Sequence, residues 1–316
     1  VEKVLTAYLN IFVIFALMFL GYLLTWKKWF DNMIADTFSK LVLNFALPAS
    51  MFLNITQKFS KDQFLHLFKG MLLPITSILV TFVISIIYAK LTKVPRSRQG
   101  TFETMFTASN TIFIGLPINL AIFGEVAVPY VLLYYICNTT FFWTIGVYLI
   151  ATDSPGIKQS QIKFNFFTAI KQIFSPALLG FIVGLFWLLL GIPTPHFVKD
   201  FLGYLGDLTT PLSMLFIGTI VYFTGITNLK MNKDTFGVLL GRYLISPLVV
   251  LGLSYIIPIP PMMLKVFIIQ SAMPVQNSVP ILTRSYKADT EFSTTSLTYS
   301  VLLYLFIIPI LLHFVF

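Results

Sequence analysis

Two short stretches of this chain place amides, hydroxyls and prolines inside otherwise apolar sequence. One reads Thr107-Ala108-Ser109-Asn110-Thr111-Ile112-Phe113-Ile114-Gly115-Leu116-Pro117, the other Gln270-Ser271-Ala272-Met273-Pro274-Val275-Gln276-Asn277-Ser278-Val279-Pro280. Thr107, Asn110 and Thr111 recur at i, i+3 and i+4, and Gln270, Pro274 and Asn277 at i, i+4 and i+7. On helices each set forms one stripe. Proline removes a donor and clashes with the preceding turn, which predicts an interrupted helix in each stretch, with backbone groups released from helical pairing. In hydrocarbon such groups are tolerated only against a partner, water or a ligand. Helix N-termini at the two breaks offer positive dipole ends to an anion, and Asn110 and Asn277 would hydrogen-bond it. The expected solute contacts are Asn110, Thr111, Gly115 and Pro117, and then Gln270, Met273, Pro274, Gln276, Asn277 and Pro280. The alternative is a pair of proline kinks whose amides only staple neighbouring helices.

Further polar residues stand in apolar runs. Asn44 and Ser50 flank Pro48 as Asp207 and Ser213 flank Pro211, and Asn44, Ser50 and Ser213 are candidates near the solute. An ionisable residue within a span is a functional hypothesis by default, and burial would raise its pKa. Asp207 is therefore the proton-coupling candidate, unless its helix begins there and leaves it wet. Arg242 and Arg284 are candidates for pairing with an anion through the guanidinium fork; each could instead snorkel to lipid headgroups. Glu103 reads as a helix N-terminal carboxylate. The hydroxyl-rich run Ser293–Ser300 either back-bonds its own helix or touches solute, and the polar part of Tyr134 to Thr140 lines something unspecified.

These residues need elements to hold them, and composition says which. Of 316 residues 57% are hydrophobic and only 10% charged, with 33 Phe. A soluble chain carries about 25% charged residues, so an ordinary cytosolic enzyme and a disordered chain are both excluded. One cysteine, Cys137, rules out a disulfide framework, and the scattered His66, His196 and His313 argue against a metal site. No cofactor is expected. No His-Glu-x-x-His, Gly-x-Ser-x-Gly or phosphate-cradling motif appears, which disfavours an intramembrane enzyme and ATP-driven pumping. The net charge of +9 is assigned to membrane orientation and anionic headgroups, not nucleic acid.

Apolar runs predict ten transmembrane helices near 4–26, 37–55, 68–90, 100–123, 127–151, 175–191, 206–224, 235–257, 262–283 and 294–316. The first run lacks a small-residue cleavage site and reads as a retained helix. Fifteen of the 21 Lys and Arg fall in or beside the odd-numbered loops, and six (Lys3, Lys58, Lys61, Lys69, Lys199 and Lys265) on the other side. Cytoplasmic loops hold the excess, so both termini are expected outside the cell membrane.

The halves align at one constant offset of 163 residues: Gly21 with Gly184, Asn44 with Asp207, Pro48 with Pro211 and Pro117 with Pro280. Five helices is an odd number, so the second copy is inverted. The expected organisation is a first repeat over 1–151, a cytoplasmic connection over 152–174 and a second repeat over 175–316. The fold class is an all-α polytopic membrane protein whose fourth and ninth helices are broken. Inverted repeats point to transport. A sensor on a transporter fold is the rival reading.

The run Asn110-Thr111-Ile112-Phe113-Ile114-Gly115-Leu116-Pro117 with Phe123-Gly124-Glu125 resembles the first-half signature of the auxin efflux carrier family. Ala272-Met273-Pro274 with Asn277 and Tyr286-Lys287-Ala288-Asp289 resembles the second half. The likeness, which covers essentially the whole chain, implies crossing broken helices, a scaffold, an elevator-like transport domain, a homodimer and organic-anion substrates. The compact layout resembles the bacterial malate permeases more than the plant auxin exporters. A malate-type dicarboxylate is therefore expected, with an auxin-like monocarboxylate as the alternative. Facilitated movement, exchange, and coupling to protons or sodium all stay open.

Overall fold

The computed structural model describes residues 2–58, 70–155, 174, 176–225 and 231–315. Among these residues the structure is helical and holds no strand; one isolated antiparallel bridge joins Ser109 to Val275. The helices are α1 (Glu2–Trp26), α2 (Asn32–Leu41), α3 (Leu47–Lys58), α4 (Leu72–Leu91), α5 (Gln99–Thr107), α6 (Gly115–Phe123), α7 (Val128–Phe141) and α8 (Val147–Thr152). They continue as α9 (Pro176–Leu190), α10 (His196–Asp207), α11 (Thr209–Thr224), α12 (Lys233–Leu240), α13 (Ser246–Ser254), α14 (Pro261–Ser271), α15 (Ser278–Ser285) and α16 (Thr290–Val315). Five-residue π segments, Val42–Ala46, Phe142–Gly146 and Gly241–Ile245, join α2 to α3, α7 to α8 and α12 to α13.

Among the described residues seven continuous helical stretches are long and apolar enough to cross a membrane: Leu9–Trp26, Asn32–Gln57, Leu72–Leu91, Glu125–Thr152, His196–Phe223, Lys233–Ser254 and Thr290–His313. They fall on the first, second, third, fifth, seventh, eighth and tenth runs read from the sequence. The sixth and ninth runs hold the shorter apolar helices Leu178–Leu190 and Pro261–Ser271. The fourth run is two nine-residue helices, α5 and α6. Two stretches start earlier than expected, at Asn32 and His196. Local signals explain both: Asp31 accepts from the Ile34 N–H at 2.8 Å as an N-cap, and Pro195 precedes His196.

Turn chemistry punctuates the chain at matched places. Lys28 (φ 62°) and Gly191 (φ 68°) follow α1 and α9 in the left-handed region, and Gly124 (φ 72°) and Lys287 (φ 56°) follow α6 and α15. That conformation strains a side chain with a Cβ, yet Lys occupies one member of each pair. The members of each pair are 163 residues apart.

The chain forms two compact units, each drawn from separate stretches of sequence. The first comprises Val1–Gly70, Ile112–Leu133 and Phe174–Phe223; the second comprises Met71–Thr111, Tyr134–Ile173 and Thr224–Phe316. In the first unit α9 and α10 pack on α3, and α1 packs on α6. The α1–α11 contact is backbone to backbone: a Cβ on Gly218 would lie 1.9 Å from the Met18 carbonyl oxygen. Small residues permit such approach between apolar helices. In the second unit α5 is central, packed by α4, α8 and α12, with every residue from Gly100 to Thr107 buried. Most of the expected connection, 156–173 with Lys158, Lys163 and Lys171, lies outside the described residues. So do His66, Lys61, Lys69 and Lys230.

Candidate functional site

Within the second unit the segments that follow α5 and α14 pair with each other. The Asn110 N–H donates to the Pro274 carbonyl at 2.8 Å beside the Ser109–Val275 bridge. Asn110 Nδ2 donates to Asn277 Oδ1 at 2.9 Å. Gln270 Nε2 donates to the Thr111 carbonyl at 3.3 Å, and Ser109 Oγ donates to the Gln270 carbonyl at 3.1 Å. Thus Asn110, Thr111, Gln270, Pro274 and Asn277, five of the residues singled out by sequence, form one cluster. Met273 is fully buried in the same segment.

Two of the prolines act differently from expectation. Pro117 and Pro280 are the third residues of α6 and α15, in a first turn where no intrahelical donor is missed. Nor is the backbone that follows α5 and α14 bare. Asn138 Oδ1 accepts the Ser109 N–H at 3.0 Å while Asn138 Nδ2 donates to the Ser109 carbonyl at 2.9 Å. Ser300 Oγ accepts the Val275 N–H at 3.1 Å. Burial of unpaired peptide groups costs too much to leave them open, so side chains from α7 and α16 close them. In the sequence Asn138 and Ser300 are legible only as members of the polar runs Tyr134–Thr140 and Ser293–Ser300, without this role; an amide among the apolar residues of Tyr134–Phe141 is the available signal.

What remains open is side-chain chemistry. Among the described residues Asn277 Nδ2, Gln270 Oε1 and Gln276 Oε1 are buried atoms without a partner. Asn277 is also the N-cap residue of α15, with its side chain not capping the helix. One donor amide, two acceptor oxygens and a helix N-terminus are therefore left by the eight residues Gln270–Asn277. Each unpaired buried polar atom costs about 1–3 kcal/mol, which a solute with matching groups would recover.

Arg242 is placed otherwise than either sequence alternative. It is fully buried on the π segment Gly241–Ile245, so it does not snorkel. Its fork is not free to clamp a solute carboxylate. Nη1 donates to the carbonyls of Phe106 (3.2 Å) and Thr107, and Nη2 donates to the Ser271 carbonyl and to Ser246 Oγ (3.4 Å). Thr107 and Ser271 are the last residues of α5 and α14. Arg284 is exposed on the last turn of α15, seven residues past Asn277 or about 10 Å along the axis, and is not brought to the cluster.

The opposite end of α5 meets an acid. Asp153 accepts from the N–H groups of Gly100 (2.9 Å) and Thr101 (2.6 Å) and from Thr101 Oγ1 (2.7 Å). It lines a cavity of about 170 Å³ with Arg96 and Glu103. Burial pushes its carboxyl up to about 6. Glu103 itself lies within α5, bonded to Gln99 Nε2 at 2.8 Å. Nearby, Arg98 pairs with Asp234 at 2.5 Å and Asp289 at 3.4 Å, tying the starts of α5, α12 and α16.

The remaining candidates belong to the first unit. Gly115 and Pro117 are buried in the first turn of α6. Asn44 Nδ2 donates to the Lys40 carbonyl of its own helix at 2.8 Å, and Ser213 is buried with Oγ unpartnered among the described residues. Ser50 and Asp207 line a polar cavity of about 450 Å³ together with Glu125, Lys199 and Asp200. Asp207 is exposed there.

The family model described as membrane transport protein matches residues 6–312. An uncharacterized transporter of Methanothermobacter thermautotrophicus is 23% identical over 300 residues, covering 94% of this chain and 94% of the relative. An uncharacterized transporter of Methanocaldococcus jannaschii is 25% identical over 275 residues, covering 83% and 84%.

Proposed function

The chain belongs to the membrane transport protein family, the auxin efflux carriers, and from that premise we propose that it is a secondary transporter of small organic anions, of the malate type. It is an integral, multi-pass membrane protein. The reading adds ten spans in two inverted five-helix repeats, with α5–α6 and α14–α15 as the interrupted fourth and ninth spans. The offset supports it: α6 starts at Gly115 and α15 at Ser278, 163 residues apart, as are the two left-handed pairs Lys28/Gly191 and Gly124/Lys287. Each compact unit draws on both halves of the chain, which suits an elevator-like movement of a site-bearing unit in alternating access.

The observation that carries the substrate class is the set of unpartnered buried atoms left by Gln270, Gln276 and Asn277. A carboxylate takes the Asn277 Nδ2 donor and the dipole of the α15 N-terminus, and a hydroxyl on the same molecule donates to Gln276 Oε1. A hydroxy-dicarboxylate carries both groups. The positive-inside bias puts the odd loops in the cytoplasm and both termini outside a cell membrane.

Uptake of radiolabelled malate into proteoliposomes, with pH, sodium and voltage gradients imposed in turn, tests the reading. Saturable uptake competed by other dicarboxylates is expected. Binding without movement of malate or of any carboxylate in a mono- and dicarboxylate panel would replace it with a sensor.

A further inference from the structure

We propose that Arg242 is the resident cation of this site, a positioning residue that holds the C-terminal ends of α5 and α14 together and makes solute binding independent of any inorganic cation. The proposal rests on the reading of the Asn110–Asn277 cluster as the solute site.

A helix C-terminus carries about half a negative charge, so two ends sum to about one. In transporters with discontinuous helices, such carbonyl ends are where a coupling sodium ion or proton is held. Here the guanidinium lies among them. Its partners are the carbonyls of Phe106, Thr107 and Ser271 and one hydroxyl, none of them a carboxylate. A buried charge is stable only when paired and hydrogen-bonded, and the two helix ends supply the opposing charge. The planar fork suits this: its two terminal nitrogens reach one helix end each, which a point-like ammonium does not do.

The scaffold brings the fork into reach. A Cβ on Gly241 would lie 2.5 Å from the Phe106 ring, so only glycine lets the π segment lie this close to α5. Asn110 follows Thr107 by three residues and Asn277 follows Ser271 by six. Fixing both carbonyl ends therefore fixes the origin of both segments that present the amides.

Thermal melting of the purified full chain in detergent tests this without needing a substrate. The wild type should melt at one temperature in sodium, potassium and choline chloride of equal concentration. Arg242→Ala should melt lower in choline chloride, and millimolar guanidinium chloride should restore part of the loss with saturation. An alanine variant indifferent to both guanidinium and sodium overturns the proposal. So does Arg242→Met, which removes charge but fills space, if it melts like the wild type. If neither neutral variant accumulates, Arg242→Lys decides: a lysine variant that accumulates but melts below the wild type supports a charge shared by both helix ends, and one that melts like the wild type, or accumulates no better than the neutral variants, overturns it. In proteoliposomes, wild-type malate uptake that requires sodium refutes the role of Arg242 and leaves the solute reading intact. Absence of malate uptake fails the solute reading, while the melting comparison still judges Arg242.

Discussion

Asn110 and Asn277, separated by 167 positions in the chain, meet side chain to side chain at 2.9 Å, and the bond is directional: Asn110 donates and Asn277 accepts. The Asn277 Nδ2 donor is thereby left over. An anion-binding site needs such a donor, and a neutral kink staple does not.

Asn277→Asp follows from that direction. The carboxylate keeps an acceptor for Asn110 but turns the spare donor into a second anionic oxygen. A charge-assisted hydrogen bond contributes about 1.5–3 kcal/mol, so malate affinity should fall roughly tenfold to 150-fold while the melting temperature changes little. Isothermal titration beside a melting curve checks it; unchanged affinity removes Asn277 from the site.

Asp153 makes stability depend on pH. Its ordinary value of 3.8 rises to about 6 because burial disfavours the anion, against hydrogen bonds from Thr101 and Gly100 that favour it. Between those values the folded chain holds a proton that the unfolded chain has released. Stability therefore declines as pH rises from about 4 to about 6, by roughly 3 kcal/mol at the usual linkage. Asp153→Asn cannot ionise, so its melting temperature should vary less from pH 4.5 to 6.5 than that of the wild type. Parallel curves for the two proteins would assign the dependence elsewhere.

Asp207→Asn should leave the pH profile of uptake unaltered. The carboxylate stands exposed in a polar cavity, not enclosed within a span as a coupling carboxylate would be. A profile flattened by this one substitution would restore it as the coupling group.

Orientation can be read by labelling. Trp29, 68% exposed after α1, lies in the first odd loop, and Cys137 is buried, so background reaction is low. Trp29→Cys should react with an impermeant maleimide only after the membrane is opened. Labelling in sealed cells inverts the orientation.

Composition and periodicity determined a great deal here. Apolar length alone marked the long helices, since hydrocarbon demands about 20 residues of internally paired backbone. The prolines, amides and small residues after Thr107 and Gln270 marked where helix ends. Asn110, Thr111, Gln270 and Asn277 were legible for the same reason: a polar residue in a lipid-spanning run has few explanations. Tertiary structure decided which groups remain available. Ser109 and Val275 have their N–H groups taken by Asn138 and Ser300, and Arg242 closes two helix ends instead of gripping solute. Those pairings join residues 25 to 135 positions apart. No periodicity along one strand of sequence encodes them, because they depend on which helices pack and on which face each turns inward. Asp207 makes the same point: its residue type left open an enclosed acid or a wet one, and the fold places it exposed in a polar cavity.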